Sequence, residues 1–358
     1  MIYLGLMSGT SCDGIDVAVV EISGEEINCL ATNFQAYPKD IKSDLLSIIA
    51  GRSVTARQLS QLDCQLARLY AEAVLQTLDQ NHYQAEQIKA IGLHGQTIDH
   101  NPPRNTWQIG SAAHVAALTG IDVISDFRTM DVALGGQGAP LAPALHQAMF
   151  NQGEPIAVLN LGGIANLSYV TANEVLGFDT GPANCLMDLW ISQHSQHSHD
   201  ESGRWAATGS VNRALLKSFM GEPYFLSEPP KSTGRELFNQ NWLSQHLSGF
   251  SGISAEDVQA TLLVLTTQSI AQDIEKYAPD ARQLIVCGGG VHNDELMAGL
   301  KKRTAIPVVS SASLGVDPDH VESILMAWLA SKYPKRLNLT PITGAESAHV
   351  FGVLYPHA

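Results

Sequence analysis

The chain opens Met1-Ile-Tyr-Leu-Gly-Leu-Met-Ser-Gly-Thr-Ser-Cys-Asp-Gly-Ile-Asp-Val-Ala-Val-Val20. Two apolar runs, Ile2 to Met7 and Ile15 to Val20, flank a loop of Ser, Gly, Thr and Asp. This pattern predicts a strand, a tight polar turn and a second strand. Gly9 and Gly14 let the backbone come close to a ligand, and Ser8, Thr10 and Ser11 add hydroxyls beside the exposed amides. Such a turn can cradle a phosphate without a lysine. Asp13 and Asp16 would repel that phosphate unless a divalent cation sits between them, so the loop points to a nucleotide with Mg²⁺. An ordinary hairpin with a polar loop is the alternative. Gly9 and Gly14 also fit Gly-x-x-x-x-Gly, but Ile15-Asp16 stands where a P-loop needs Lys-Ser/Thr, which excludes that reading.

The bulk properties bound the rest. At 358 residues the chain suggests two domains, on a prior of roughly 150 residues each. Its 45% apolar content is too high for disorder, and its net charge of −14 argues against a nucleic-acid or anionic-membrane partner. The five scattered cysteines form no Cys-x-x-Cys pair, which favours reduced thiols over a disulfide frame or zinc site. No basic segment precedes the first apolar run, and no apolar stretch approaches the roughly 20 residues of a membrane span. A soluble cytoplasmic enzyme is expected.

Working outward, Ile27 to Tyr37 reads as a third strand and Ala56 to Asn81 as a long helix with Leu59, Leu62, Leu66 and Leu69 near one stripe. Ile88 to Leu93 reads as a buried strand ending in a polar loop, His94-Gly-Gln-Thr97. A helix at Ser111 to Leu118 and a strand at Ile121 to Ile124 follow. The second half restarts the plan: Ile156 to Leu161, a Gly162-Gly163 turn with Asn166, and a resumed strand at Leu167 to Val170. Helices are expected at Asn184–Gln193, Val211–Met220, Glu256–Tyr277, Asp294–Lys302 and Pro318–Ser331, with strands at Leu284–Cys287 and Ile306–Val309. The expected lobes are 1–140 and 141–337, with 338–358 returning to the first.

Asp179 follows the strand-like Val175 to Phe178 and precedes Thr180-Gly-Pro-Ala and a helix. A carboxylate at a strand end facing a helix N-terminus stays ionised, as a general base must. The alternative is a turn or N-cap aspartate worth about 1 kcal/mol. Cys287-Gly-Gly-Gly290 fails the dinucleotide pattern because Asn293 stands where the third glycine belongs. Arg128 suits a carboxylate ligand, or else a salt bridge to Asp126 or Asp131. Leu134 to Pro140 reads as a flexible glycine loop. His194, His197 and His199 read as a solvated loop in preference to a metal site.

The strings Gly5-Leu-Met-Ser-Gly-Thr-Ser-Cys-Asp-Gly-Ile-Asp16, His94-Gly-Gln-Thr-Ile98, Ser125-Asp-Phe-Arg128, Leu134-Gly-Gly-Gln-Gly-Ala-Pro140, Asn160-Leu-Gly-Gly-Ile-Ala-Asn166, Gly177-Phe-Asp-Thr-Gly-Pro-Ala-Asn184, Lys231-Ser-Thr-Gly-Arg235 and Cys287-Gly-Gly-Gly290 together resemble the anhydro-N-acetylmuramic acid kinases. These belong to the actin/hexokinase ATPase superfamily, and the likeness runs nearly the whole chain. It implies a two-lobed α/β fold, actin/hexokinase-like and ribonuclease H-like, with a central cleft, and a cytoplasmic homodimer. It implies ATP and Mg²⁺ held by Gly9, Thr10, Ser11, Cys12, Asp13, Gly14, Ile15, Asp16, Gly162, Gly163, Asn166, Gly288, Gly289 and Gly290, with Asp13 reaching the metal through bound water. The sugar is expected on His94, Gln96, Thr97 and Arg128. Asp179 is the expected base, and Glu322 helps it orient a water, although a first-turn glutamate is common at any helix N-terminus. Lys231 to Arg235 carries no assigned role. The implied reaction opens the 1,6-anhydro ring of anhydro-N-acetylmuramic acid and phosphorylates O6 during cell-wall recycling. A conventional amino-sugar 6-kinase and a non-catalytic nucleotide-gated sugar sensor are the alternatives.

Overall fold

The computed structural model describes residues 1–151 and 153–358. Residues 1–149 and 320–358 form one compact unit, and residues 150–319 form the other.

Unit 1 begins with β1 (Ile2–Ser8), β2 (Gly14–Ser23) and β3 (Glu26–Ala36), an antiparallel meander. After the helices Lys39–Ile49 and Ala56–Gln80, β4 (Ile88–Asn101) returns parallel to β1. A hairpin strand, β5 (Asn105–Ile109), pairs with the far half of β4, and β6 (Val123–Ser125) lies parallel to the near half. Val353–Tyr355 then closes the edge antiparallel to β6.

Unit 2 repeats this plan. β7 (Ile156–Leu161), β8 (Ile164–Val170) and β9 (Val175–Pro182) make the meander, and β10 (Leu284–Cys287) and β11 (Val308–Ser310) add in parallel. The orders β3-β2-β1-β4-β6 and β9-β8-β7-β10-β11 are one topology used twice. The two units bury separate cores. Leu4, Leu6, Leu66, Tyr70 and Ile91 belong to the first, and Leu159, Phe178, Leu265 and Val286 to the second.

The unit boundaries differ from the expected 140/141 and 337/338. The helix Val321–Lys332 follows the unit 2 strands in sequence but packs on β1, β2 and β4. Its residues Val321, Ile324 to Ala327, Leu329 and Ala330 are buried nearly all round, as a core helix requires. The helix lies so close to the sheet that only glycine fits beneath it. A Cβ on Gly5 would stand 1.8 Å from the Ser323 carbonyl oxygen, and one on Gly92 2.0 Å from that of Met326.

The Ala56–Gln80 helix forms as expected. Thr55 accepts the Gln58 amide and Gln58 accepts the Thr55 amide, a reciprocal capping box. No helix among the described residues is long and apolar enough to cross a membrane.

Candidate functional site

In unit 1 the β1–β2 loop is braced from below. Ser8 at the end of β1 hydrogen-bonds Tyr70, whose hydroxyl lies 3.2 Å from that of Tyr37. The Tyr37 amide bonds the Asp13 carbonyl, and Gln96 Nε2 donates to the Gly9 carbonyl at 3.1 Å. Thr10 is exposed and Gly9 and Ser11 half-buried, so these three are open to a ligand. Cys12 and Ile15 are fully buried and can offer only backbone. Gly14 is roofed by β3, with the Gln35 carbonyl oxygen 2.3 Å from where its Cβ would be, so it serves packing. The exposed Asp13 carboxylate is paired with Lys42. Asp16, paired opposite Met7 on β2, stands 3.9 Å from His320 Nδ1. Among the described residues no cluster of three or more metal-binding side chains forms.

His94, Gln96 and Thr97 lie within β4 and not in a loop beyond it. The strand continues because β5 supplies a second partner where β1 ends, across register shifts around Gly95 and Ile98. Thr97 accepts from Gln108 of β5 at 3.3 Å. Arg128 donates through Nε to His94 Nε2 at 2.9 Å and through Nη1 to the Gly138 carbonyl. His94 Nδ1 lies 2.7 Å from the Gly95 carbonyl oxygen, which can only accept. His94 is therefore neutral with its proton on Nδ1. Burial and the Arg128 charge hold its pKa down at about 3.

The carboxylates expected as partners for Arg128 have other work. Asp126 caps the Thr129 amide at 3.2 Å, and the fully buried Asp131 takes the Gly138 amide at 2.7 Å and the Thr343 hydroxyl at 2.6 Å. The 134–140 loop, expected to be flexible, is thus pinned around Asp131. Glu322 sits in the first turn of its helix. Burial raises its pKa, and the Arg128 charge opposes the rise.

Unit 2 holds Asp179. It lies inside β9, which runs on to Pro182, and it pairs across the ladder with Asn166. The helix Asn184–His194 begins beyond the strand, so the expected helix-dipole contact is replaced by direct hydrogen bonds. Asn166 Nδ2 donates to Asp179 Oδ1, and the Thr233 amide donates to Oδ2 at 2.9 Å. Asn166, expected at the nucleotide, has its side-chain amide on the carboxylate. The Asp179 amide bonds the Lys231 carbonyl at 3.2 Å, and Tyr224 donates its hydroxyl to the Asp179 carbonyl at 2.7 Å. Burial pushes the Asp179 pKa up to about 7, against the Thr233 and Asn166 hydrogen bonds that lower it. Glu236 adds to the rise and Lys231 opposes it.

Two glycine turns lie in the same unit. The N-terminus of the Asn184–His194 helix binds the carbonyls of Gly162 and Gly163 through the amides of Ala183, Asn184 and Cys185. Arg235 reaches this turn, with Nη2 3.9 Å from the position a Cβ on Gly163 would take. Gly288, at φ +81°, has the Asn160 Oδ1 2.3 Å from its Cβ position, so a side chain there is excluded twice over. Gly290 packs on Leu161, whereas Gly289 has open space before it. His194, His197 and His199 are exposed, and His194 lies over Trp190 with ring centroids 3.9 Å apart.

Sequence reasoning missed Tyr224, Asp273 and the tie from Thr233 to Asp179. The quoted string Lys231 to Arg235 was the available signal, but its contacts span more than 40 residues and no local pattern encodes them.

Two α/β units of one topology each open with a strand–loop–strand entrance, and the second holds a buried, hydrogen-bonded aspartate. The family model for Anhydro-N-acetylmuramic acid kinase matches residues 1–357. The chain belongs to this family. It is 47% identical to an anhydro-N-acetylmuramic acid kinase of Shewanella sp. (strain MR-7), over 98% of this chain and 97% of that one. It is 45% identical to one of Vibrio vulnificus (strain YJ016), over 100% and 99%. Among solved structures, component A of (R)-2-hydroxyglutaryl-CoA dehydratase from Acidaminococcus fermentans overlaps 91% of this chain and 96% of its own at 12% identity, with a TM-score of 0.47.

Proposed function

We propose that this protein is an ATP-dependent kinase that opens the 1,6-anhydro ring of 1,6-anhydro-N-acetylmuramic acid and phosphorylates O6. The products are N-acetylmuramic acid 6-phosphate and ADP, in the recycling of peptidoglycan. The observation that carries the reading is the buried Asp179, whose carboxylate is held by Asn166 and the Thr233 amide and whose pKa, raised to about 7 by burial, suits a base at neutral pH.

The substrate has no free O6 hydroxyl, so a base that only deprotonates a sugar alcohol would have nothing to act on. In this reading Asp179 takes a proton from water, and the water oxygen attacks C1. The C1–O6 bond breaks, and O6 attacks the γ-phosphorus of ATP as ADP departs. Asn166 and the Thr233 amide keep the carboxylate oriented. Glu322 is assigned to orienting the water and Arg128 to the lactyl carboxylate, its Nε held by His94. Arg235 beside the Gly162–Gly163 turn is assigned to the transferring phosphoryl group.

The Gly288–Gly290 turn fits a nucleotide, because Gly289 has open space before it. Mg²⁺ would neutralise charge on the phosphoryl oxygens. Asp13, exposed in the loop beside Lys42, is the carboxylate assigned to hold it through bound water.

We further assign the fold to the actin/hexokinase-like, ribonuclease H-like class, on the repeated strand order. A cytoplasmic homodimer belongs to the same reading. The test is an ADP-release assay on 1,6-anhydro-N-acetylmuramic acid in ¹⁸O water, beside the unbridged sugar. Label at the anomeric hydroxyl, appearing at the rate of ADP release and corrected for spontaneous exchange, is expected. ADP release with the unbridged sugar alone would identify a conventional 6-kinase, and none with either sugar a sensor.

A further inference from the structure

We propose that the buried ion pair between Lys231 and Asp273 is a positioning device that clamps the segment 231–235 along β9 and so keeps the Thr233 amide on the Asp179 carboxylate. This rests on Asp179 being the base.

Lys231 Nζ lies 3.3 Å from Asp273 Oδ2, with side-chain exposures of only 4% and 10%. Asp273 belongs to the rigid helix Ala255–Tyr277, which is buried along most of its length. The ammonium also sits 5.1 Å from the Tyr224 ring centroid and 5.4 Å from that of Phe178, the residue before Asp179. A buried pair of this kind is a poor source of net stability, because desolvating both charges offsets their attraction. It does fix geometry. The Lys231 carbonyl receives the Asp179 amide at 3.2 Å, and two residues on, the Thr233 amide meets Oδ2 at 2.9 Å. Tyr224 closes the arrangement, since its ring faces the ammonium while its hydroxyl holds the Asp179 carbonyl. The side chain, amide and carbonyl of Asp179 are thus each tied to Lys231 or its immediate contacts.

The titratable groups around Asp179 are Lys231, Glu236, Tyr224 and, across the ion pair, Asp273. Lys231 is the cation among them that favours the ionised base. Burial raises the Asp273 pKa to about 6 against the pull of Lys231, so the clamp itself loosens as pH falls through that value.

The test compares Lys231→Met and Asp273→Asn with the wild-type enzyme in the ATP-coupled assay across pH, with Asp179→Asn as reference. Both variants are expected to lose roughly tenfold in kcat, a fraction of the 10²–10⁴ that a general base supplies, while each KM stays within about twofold. The acid limb of the kcat profile is expected to move to higher pH in Lys231→Met, which loses the favourable cation. In Asp273→Asn it is expected to move to higher pH as well, because the Thr233 amide, whose hydrogen bond lowers the Asp179 pKa, is no longer held on the carboxylate. A general loosening would leave both limbs unmoved and overturn the inference, as would wild-type kcat in either folded variant. If Lys231→Met does not fold, Asp273→Asn decides alone by the same criteria. Near-normal turnover in Asp179→Asn would instead take down the assignment of the base.

Discussion

Asn166 stands directly opposite Asp179 in the β8–β9 ladder and donates its side-chain amide to that carboxylate. A residue on one strand thus sets the orientation and basicity of a residue on the next. The pairing register fixes this relationship, and a slip of one residue in either strand would turn that strand's side chain to the other face.

Removing the base gives the first prediction. Asp179→Asn should lower kcat by about 10²–10⁴-fold. The same variant should be more stable than wild type at pH 8. The folded pKa of about 7 lies above the usual aspartate value of 3.8, so the folded state holds its proton where the unfolded state has lost it. Stability from this group is therefore present at low pH and is lost as pH rises between those values. The advantage of the variant in urea denaturation should shrink toward pH 4, and a constant advantage would contradict the shift.

Asn166→Ala removes a hydrogen bond that lowers the Asp179 pKa. The acid limb of the kcat profile should move to higher pH, with KM for ATP little changed. A limb that does not move would remove Asn166 from this role.

Arg128→Ala should raise KM for the anhydro sugar by about 10–100-fold, the equivalent of a lost charged hydrogen bond. KM for ATP should hold. Equal effects on both substrates, measured by initial rates, would show that the residue only supports the fold.

Arg235→Ala should depress kcat by about 10²-fold or more if its charge meets the phosphoryl group in the transition state. Restoration by Lys should be partial, because a guanidinium and an ammonium present donors differently.

Gly5→Ala adds a Cβ 1.8 Å from the Ser323 carbonyl oxygen, a clash with backbone that no rotamer relieves. Overpacking of this kind costs about 1–3 kcal/mol. A shift of the urea midpoint at unchanged slope would report it, and an unshifted midpoint would mean that the helix sits less tightly.

The elements legible in the sequence were those carried by local pattern. β1 to β3 and the Ala56–Gln80 helix announce themselves through apolar runs, turn residues and a leucine stripe. The polar run His94 to Thr97 reads as a loop because its second partner strand, β5, is itself short and polar. Thr180-Gly-Pro182 reads as lying past the strand end because Gly and Pro break strands, although β8 pairs with it through Pro182. In the site, Asp179 and the glycine turns stood out by residue type and position. The hands that hold Asp179 did not, since Thr233 and Tyr224 act through contacts between distant segments. The Val321–Lys332 helix looked like the end of the second lobe, because nothing in an apolar helix states which sheet it covers.

The placement of that last helix bears on how the protein is made. Unit 2 is a continuous insertion, whereas unit 1 needs both chain ends, including the Val321–Lys332 helix over Gly5 and Gly92 and the closing strand Val353–Tyr355. As the polypeptide leaves the ribosome, the usual order of N-terminal domain first is therefore inverted. The insertion can mature while the earlier segment still waits, its glycine groove uncovered, for residues 320–358.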